Sequence, residues 1–365
     1  GLPDDSLSWV TNRLERERWQ FGTETFYERM IALTDGPLST VSPGFARELT
    51  TDPLQTRHFA SHLQPVFTAH GVVGINNPLF GEPRAPYSTE AVRAATDGAP
   101  EKILAEKAPK RKRMLEVLSA YQDDRMLGSL DGGPGRDLTA LPAEVPVFVM
   151  FGRLDPRQKG FDLLARAIEG VPRNAAKFIL TPIAGPGTEE WLADLGLLAR
   201  NRSGDVVVYP FRMEQGYAEA MAGATYAIMP SFYEPFGAAT EAYLAGTPVV
   251  ARATGGLTDQ VTDYDENKAR ATGFVFREKL PLGASWPAIA VAGPDERVEI
   301  PLYASMAESL YDALRRAAAV YAKRPASYGR MLANLHEKAA SFGADRAAAG
   351  YRALYDLAVI DEPRF

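Results

Sequence analysis

Residues 146–185 read PVFVMFGRLDPRQKGFDLLARAIEGVPRNAAKFILTPIAG, and this stretch decides the fold class. PVFVMFGRL (146–154) is a continuous apolar run rich in Val and Phe, the pattern of a strand covered on both faces. FDLLARAIEGV (161–171) then spaces its apolar residues at helical intervals, and KFILTPIAG (177–185) is a second strand. Outward from there the alternation continues: helix TEEWLADLGLLARN (188–201), strand DVVVYPF (205–211), helix EQGYAEAMAGA (214–224), strand TYAIMPS (225–231), helix FGAATEAYLAG (236–246) and strand TPVVARAT (247–254). Short β-α-β-α spacing predicts an α/β fold with a doubly wound, parallel, Rossmann-like sheet.

The flanks are less regular. Residues 6–34 carry helical periodicity, and LSTVSPGFARELT (38–50) reads as a short strand at Thr40-Val41, a turn at Ser42-Pro43 and a helix from Gly44 to Leu49. VVGINNPLFGEPRAP (72–86) reads as a strand running into a loop, and Glu101–Tyr121 as a helix interrupted near Pro109. The Gly/Pro-rich stretch 130–144 is the best candidate linker or surface loop. Residues 281–302 break the alternation and read as an inserted loop, and helices resume over 303–358.

The chain has 365 residues, 46% hydrophobic and 24% charged, which gives enough apolar mass for a full core. A net charge of −6 argues against wholesale nucleic-acid binding. The absence of Cys removes disulfides, thiol nucleophiles and Cys-held metals. No apolar run reaches the ~18 residues of a membrane span. The opening GLPDDSLSW has neither a basic nor an apolar leader region, so the expected location is cytoplasmic.

In a parallel open sheet, ligands bind beyond the carboxyl ends of the strands. Reading those positions off gives Arg153, Asp155 and Lys159; Gly185 and Gly187; Tyr209, Phe211 and Arg212; Ser231 and Glu234; and Thr254, Gly255 and Gly256. Two cations, glycine-bearing turns and a carboxylate share one rim. Lys159 falls just before a helix N-terminus, where a cation is unfavourable unless an anion lies between them. A diphosphate would be such an anion; surface charge is the plainer alternative. Glu234 could accept hydrogen bonds from sugar hydroxyls or simply favour a helix start. Glu241, seven residues on, could share its helical face.

Other motifs are silent or weak. GPGTEE (185–190) lacks the third glycine of a dinucleotide fingerprint, and neither a P-loop nor G-x-S-x-G occurs. His58 and His62 stand i,i+4 without the Glu of a zinc motif and read as structural or helix-surface residues. Asp263-Tyr264-Asp265 reads as a solvated loop, and Lys107, Lys110, Arg111, Lys112 and Arg113 as a solvated helix face.

Together, STVSPGFAREL, FGRLDPRQKGFDLL, MPSFYEPFG, GTPVVARATGGLTDQV, VTDYDENKARATGFVF and AAGYRALYDLA resemble, in order, segments of the glycogen and starch synthases among the retaining GT-B glycosyltransferases. The resemblance implies that Arg153 and Lys159 hold and stabilise the leaving nucleotide diphosphate. It implies that Glu234, with the backbone of Pro235, Phe236 and Gly237, binds the glucose hydroxyls, and that Glu241 lies near the ribose. Thr254, Gly255, Gly256 and Leu257 would shape the donor pocket, and Tyr209, Phe211 and Arg212 would flank the base. The implied donor is a nucleotide-sugar, ADP-glucose favoured over UDP-glucose. The implied acceptor is an α-glucan, with no metal or other cofactor.

Three departures accompany the resemblance. Glu234 and Glu241 are seven apart where the family usually shows eight; GINNPLFGEP replaces the family's N-G-I-D; and no K-x-G-G occurs. The expected organisation is therefore a remnant of the amino-terminal acceptor domain and crossover over 1–75, a donor-binding domain over 76–345, and a closing helix over 346–365. Such a chain should bind a nucleotide sugar and show little transfer alone. Other retaining GT-B transferases, forming sucrose, trehalose or mannosyl chains, and a non-catalytic sugar-nucleotide-binding module remain alternatives.

Overall fold

The computed structural model describes residues 28–360, apart from positions 29, 32, 33, 35, 52–62, 80–83, 131–137, 282–287 and 290. Most of the periodic stretch 6–34, and both His58 and His62, lie outside the described residues.

The strands are β1 (Leu38–Thr40), β2 (Val72–Gly74), β3 (Leu127–Leu130), β4 (Val147–Arg153), β5 (Lys177–Ile183), β6 (Asp205–Val208), β7 (Tyr226–Met229), β8 (Val249–Arg252) and β9 (Gly273–Phe276). The helices used below are α1 (Pro43–Thr51), α2 (Gln64–His70), α3 (Thr89–Thr96), α4 (Glu101–Ala120), α5 (Phe161–Glu169), α6 (Glu189–Asn201), α7 (Tyr217–Gly223), α8 (Ala239–Ala245), α9 (Leu257–Gln260), α10 (Pro294–Arg297), α11 (Pro301–Lys323), α12 (Pro325–Ala340) and α13 (Ala344–Ile360).

One sheet runs β3-β6-β5-β4-β7-β8-β9. Its six strands from β6 to β9 are parallel, and β3 adds an antiparallel edge. The chain lays down β4, β5 and β6 in one direction. It then returns to the other side of β4 for β7, β8 and β9, so the strand order reverses between β4 and β7. The expected doubly wound sheet is thus present, with two strands, β3 and β9, that local periodicity did not single out. A separate parallel pair, β1 and β2, lies amino-terminal to it.

The central strands carry no alternation because helices cover both faces. Phe148 stacks on Phe178 at 5.3 Å and on Tyr226 at 5.6 Å between ring centroids, bridging β5, β4 and β7. Such aromatic pairs add ~0.5–1.5 kcal/mol beyond their buried area. The Tyr226 hydroxyl donates to the Ala317 carbonyl at 3.1 Å, tying the sheet to α11. Among the described residues, no helix is long and apolar enough to cross a membrane.

Three local readings need correction. Helix α4 runs unbroken through Pro109, because its buried face (Ile103, Lys107, Arg111, Met114) continues on both sides and packing outweighs the missing N–H. That face also corrects the solvated reading of the basic run. Lys107 is 6% exposed and donates to the Ala222 and Gly246 carbonyls (2.7 and 3.0 Å) and to the Thr247 hydroxyl, at the ends of α7 and α8. Arg111 is buried and donates to the Pro142 and Val145 carbonyls. Finally, the 263–265 loop is structural: Asp263 accepts from the Val275 amide, Tyr264 is buried, and Asp265 pairs with Arg316.

Candidate active site at the strand-order reversal

Where strand order reverses, the loops after the two diverging strands separate and leave a crevice at their carboxyl ends. Here those are the loops after β4, holding Leu154–Gly160 just beyond the terminal Arg153, and after β7, holding Pro230–Ala238. The sequence placed Lys159 and Glu234 on these two loops, and the fold brings them together. Lys159 Nζ lies 2.6 Å from Glu234 Oε2, with side chains 23% and 10% exposed. The Ser231 hydroxyl donates to the same carboxylate oxygen at 3.1 Å.

Gly160 follows Lys159 as the N-cap of α5. Its φ of 73° is left-handed, and a Cβ there would come within 2.5 Å of the Pro230 carbonyl oxygen. Glycine is thus required for the two loops to meet. The α5 amide end therefore opens beside Lys159, giving a cation and a helix N-terminus at one place. The Phe232 amide donates to the Gln158 carbonyl at 2.7 Å and joins the loops through their backbones. Arg153 is outermost. Its side chain is 69% exposed, donates to Gln158 Oε1 at 3.0 Å and lies 3.8 Å from Asp155.

The third wall is Thr254-Gly255-Gly256, between β8 and α9. A Cβ on Gly255 would sit 1.9 Å from the Glu234 carbonyl oxygen, and one on Gly256 2.1 Å from that of Phe236. The paired glycines therefore let two loop backbones press together, and the Gly256 amide donates to the Glu234 carbonyl at 2.9 Å. Leu257 is buried behind them, and Gly237 faces its side chain. Gln260, fully buried, accepts from the Ala239 amide at 2.9 Å and donates to the Phe236 and Gly237 carbonyls, fixing the Pro235–Gly237 backbone.

Glu241 does not share a helical face with Glu234, because α8 begins only at Ala239 and Glu234 stays in the loop. Glu241 is exposed, yet surrounding atoms crowd its carboxyl and raise its pKa, with the Lys159 charge opposing that rise. Burial, then the Glu241 charge, pushes the nearby Tyr217 hydroxyl up to about 12. Tyr209 and Phe211 turn their rings inward onto Tyr121 (5.4 and 6.5 Å between centroids), leaving Arg212 as the exposed side chain of that stretch. Gly185 and Gly187 have open space at their Cα positions.

Two contributors escaped the sequence reading although both lie inside quoted motifs. Gln260 is one. Glu48 of α1 is the other: it accepts from the Gly255 amide at 2.6 Å and from the Thr254 hydroxyl at 3.1 Å. Ser42 and Gly44 dock alongside, on the Pro235 carbonyl (2.5 Å) and the Asp259 carboxylate (2.7 Å). Their signal is a polar partner distant in the sequence, which no local pattern reveals.

This crevice can hold a phosphorylated ligand with its anionic end at Lys159 and a hydroxyl-bearing group at Glu234. Residues 136–281 match the family described as "Glycosyl transferases group 1". Over those residues the chain is similar to that family of glycosyltransferases. Within that class its curated relatives are glycogen synthases. The one from Anaeromyxobacter sp. (strain Fw109-5) is 30% identical over 363 residues, covering 97% of this chain and 62% of the relative. The one from Dechloromonas aromatica (strain RCB) is 29% identical over 284 residues, 73% of this chain and 51% of the relative. The chain spans about half the length of the curated relatives it matches. The catalytic domain of starch synthase IV from Arabidopsis thaliana, bound to ADP and acarbose, has the same fold: TM-score 0.63, 20% identity, covering 96% of this chain and 62% of that one.

Proposed function

We propose that this chain carries the donor site of a retaining glucosyltransferase of the glycogen/starch synthase type, which extends an α-1,4-glucan from ADP-glucose. The observation that carries the reading is the Lys159–Glu234 contact of 2.6 Å at the mouth of α5. In a nucleotide sugar the diphosphate and the hexose adjoin through one bond. A site for it needs a phosphate-binding cation and a hydroxyl-binding carboxylate side by side.

Cleaving the glycosyl–phosphate bond develops negative charge on the leaving diphosphate and positive charge on the sugar ring. Lys159, Arg153 and the α5 amide end stabilise the diphosphate where that charge appears. Glu234, held by Ser231, accepts from sugar hydroxyls and stays close to the oxocarbenium-like ring. Glu241 is assigned to the ribose side, Thr254–Leu257 and Pro235–Gly237 to the pocket walls, and the Tyr209–Arg212 stretch to the base. Charge neutralisation is proposed to come from the chain's own cations, without a cofactor. The choice of adenine rests on the kinship with glycogen synthases and on the ADP bound by the starch synthase neighbour. A cytoplasmic location belongs to the same proposal. Donor binding is the property proposed for these 365 residues by themselves.

Calorimetric titration with ADP, UDP and their glucose conjugates tests this. ADP-glucose should bind more tightly than UDP-glucose, and Glu234→Gln should weaken ADP-glucose more than ADP. Equal losses for the two ligands would remove the sugar contact, and no binding by any of the four would remove the donor site.

A further inference from the structure

Arg297 is among the largest fully buried side chains of the described residues, at 1% exposed, and it comes from the segment that breaks the β-α alternation. Its Nη1 donates to the Pro156 carbonyl at 2.9 Å and to Asp162 Oδ2 at 2.8 Å. The guanidinium carbon lies 4.5 Å from the ring centroid of Trp191 and 5.3 Å from that of Phe232. One side chain thus touches both loops of the crevice from behind: Pro156 in the loop carrying Lys159, and Phe232 in the loop carrying Glu234.

We propose that Arg297 is a positioning residue for diphosphate recognition, setting the Lys159 loop and cancelling the Asp162 charge at the α5 N-terminus; this rests on the donor-site reading above. The loop Leu154–Gly160 closes on itself through the Lys159 amide, which donates to the Asp155 carbonyl at 2.9 Å. The Pro156 carbonyl projects from that turn, and Arg297 holds it. Asp162 lies in the first turn of α5, where its charge suits the helix but repels a phosphate at the same end. Arg297 removes that conflict without entering the crevice. Tyr303 donates to the same Asp162 oxygen at 3.0 Å and fixes it. An apolar side chain between Trp191 and Phe232 would leave the Asp162 carboxylate and the Pro156 carbonyl without their donor, and removing one partner of a buried ion pair is costly. A cation there is accounted for by the two oxygens it serves.

The test compares the diphosphate and monophosphate of the preferred base, ADP against AMP or UDP against UMP, on wild type, Arg297→Met and Arg297→Lys. Thermal melting on the same samples verifies the fold. In Arg297→Met, diphosphate affinity should fall about tenfold while monophosphate affinity stays within about twofold. Arg297→Lys keeps the charge but loses the planar guanidinium seated against Trp191 and Phe232, so it should show the same selective loss, smaller in size. That variant carries the test if Met does not fold. Equal losses for both nucleotides, or none in a folded variant, overturn the proposal while the donor site stands. A wild-type chain that binds neither nucleotide overturns both.

Discussion

Lys159 and Glu234 each have a bland reading by themselves: a surface cation, and a carboxylate before a helix. Their contact across the crevice, 75 residues apart in sequence, is what gives them chemistry. Lys159→Met should cost about 3 kcal/mol of transition-state stabilisation in the complete enzyme, as lost oxyanion donors do. Turnover within about twofold of wild type would end its phosphate role. Glu241 predicts a pH effect. Crowding raises its carboxyl above the usual value of 4.5, so the folded chain holds this proton more tightly than the unfolded chain. Its stabilising share is present below that value and is lost as pH rises through the raised one. Glu241→Gln should therefore gain melting temperature relative to wild type between pH 4 and pH 7, and a constant difference would contradict the assignment. The cations after β4 were legible because their place follows from strand order. Lys107 and Arg111 were not, since a run of basic letters does not say which of them find buried carbonyls.

At the scale of elements, loops rather than helices build the site, and glycines set how closely they approach. Gly255→Ala or Gly256→Ala would drive a methyl into the carbonyl of Glu234 or Phe236. Each should destabilise the fold by about 1–3 kcal/mol, as overpacking does, and weaken nucleotide-sugar binding further. Melting curves with titrations read both effects, and an unshifted melt would show that the loops part without cost. The docking of α1 predicts that Glu48→Ala loosens the Thr254–Gly256 wall. Hydrogen exchange at the Gly255 amide should quicken, whereas unchanged protection would contradict that role. The strands and helices from β4 to β8 were readable from their regular β-α alternation. β3 and β9 were not, because they stand outside that alternation and are specified by neighbours in the sheet rather than by their own pattern. Pro109 misled for a related reason: tertiary packing carried α4 through it.

Across the whole molecule, the reversal between β4 and β7 organises everything else. It opens the crevice, gathers Lys159 and Glu234 at its mouth, and lets α1 and α10 brace it from opposite ends of the chain. Sheet class and crevice position were legible from the alternation and the residues after each strand. The braces were not, because Glu48 and Arg297 act over separations of 207 and 141 residues. A crystal soaked with a nucleoside diphosphate tests the central claim most directly. The account predicts a phosphate oxygen about 3 Å from Lys159 Nζ, over the amide end of α5. A nucleotide bound elsewhere, with Lys159 still paired to Glu234 and no phosphate between the loops, would contradict it.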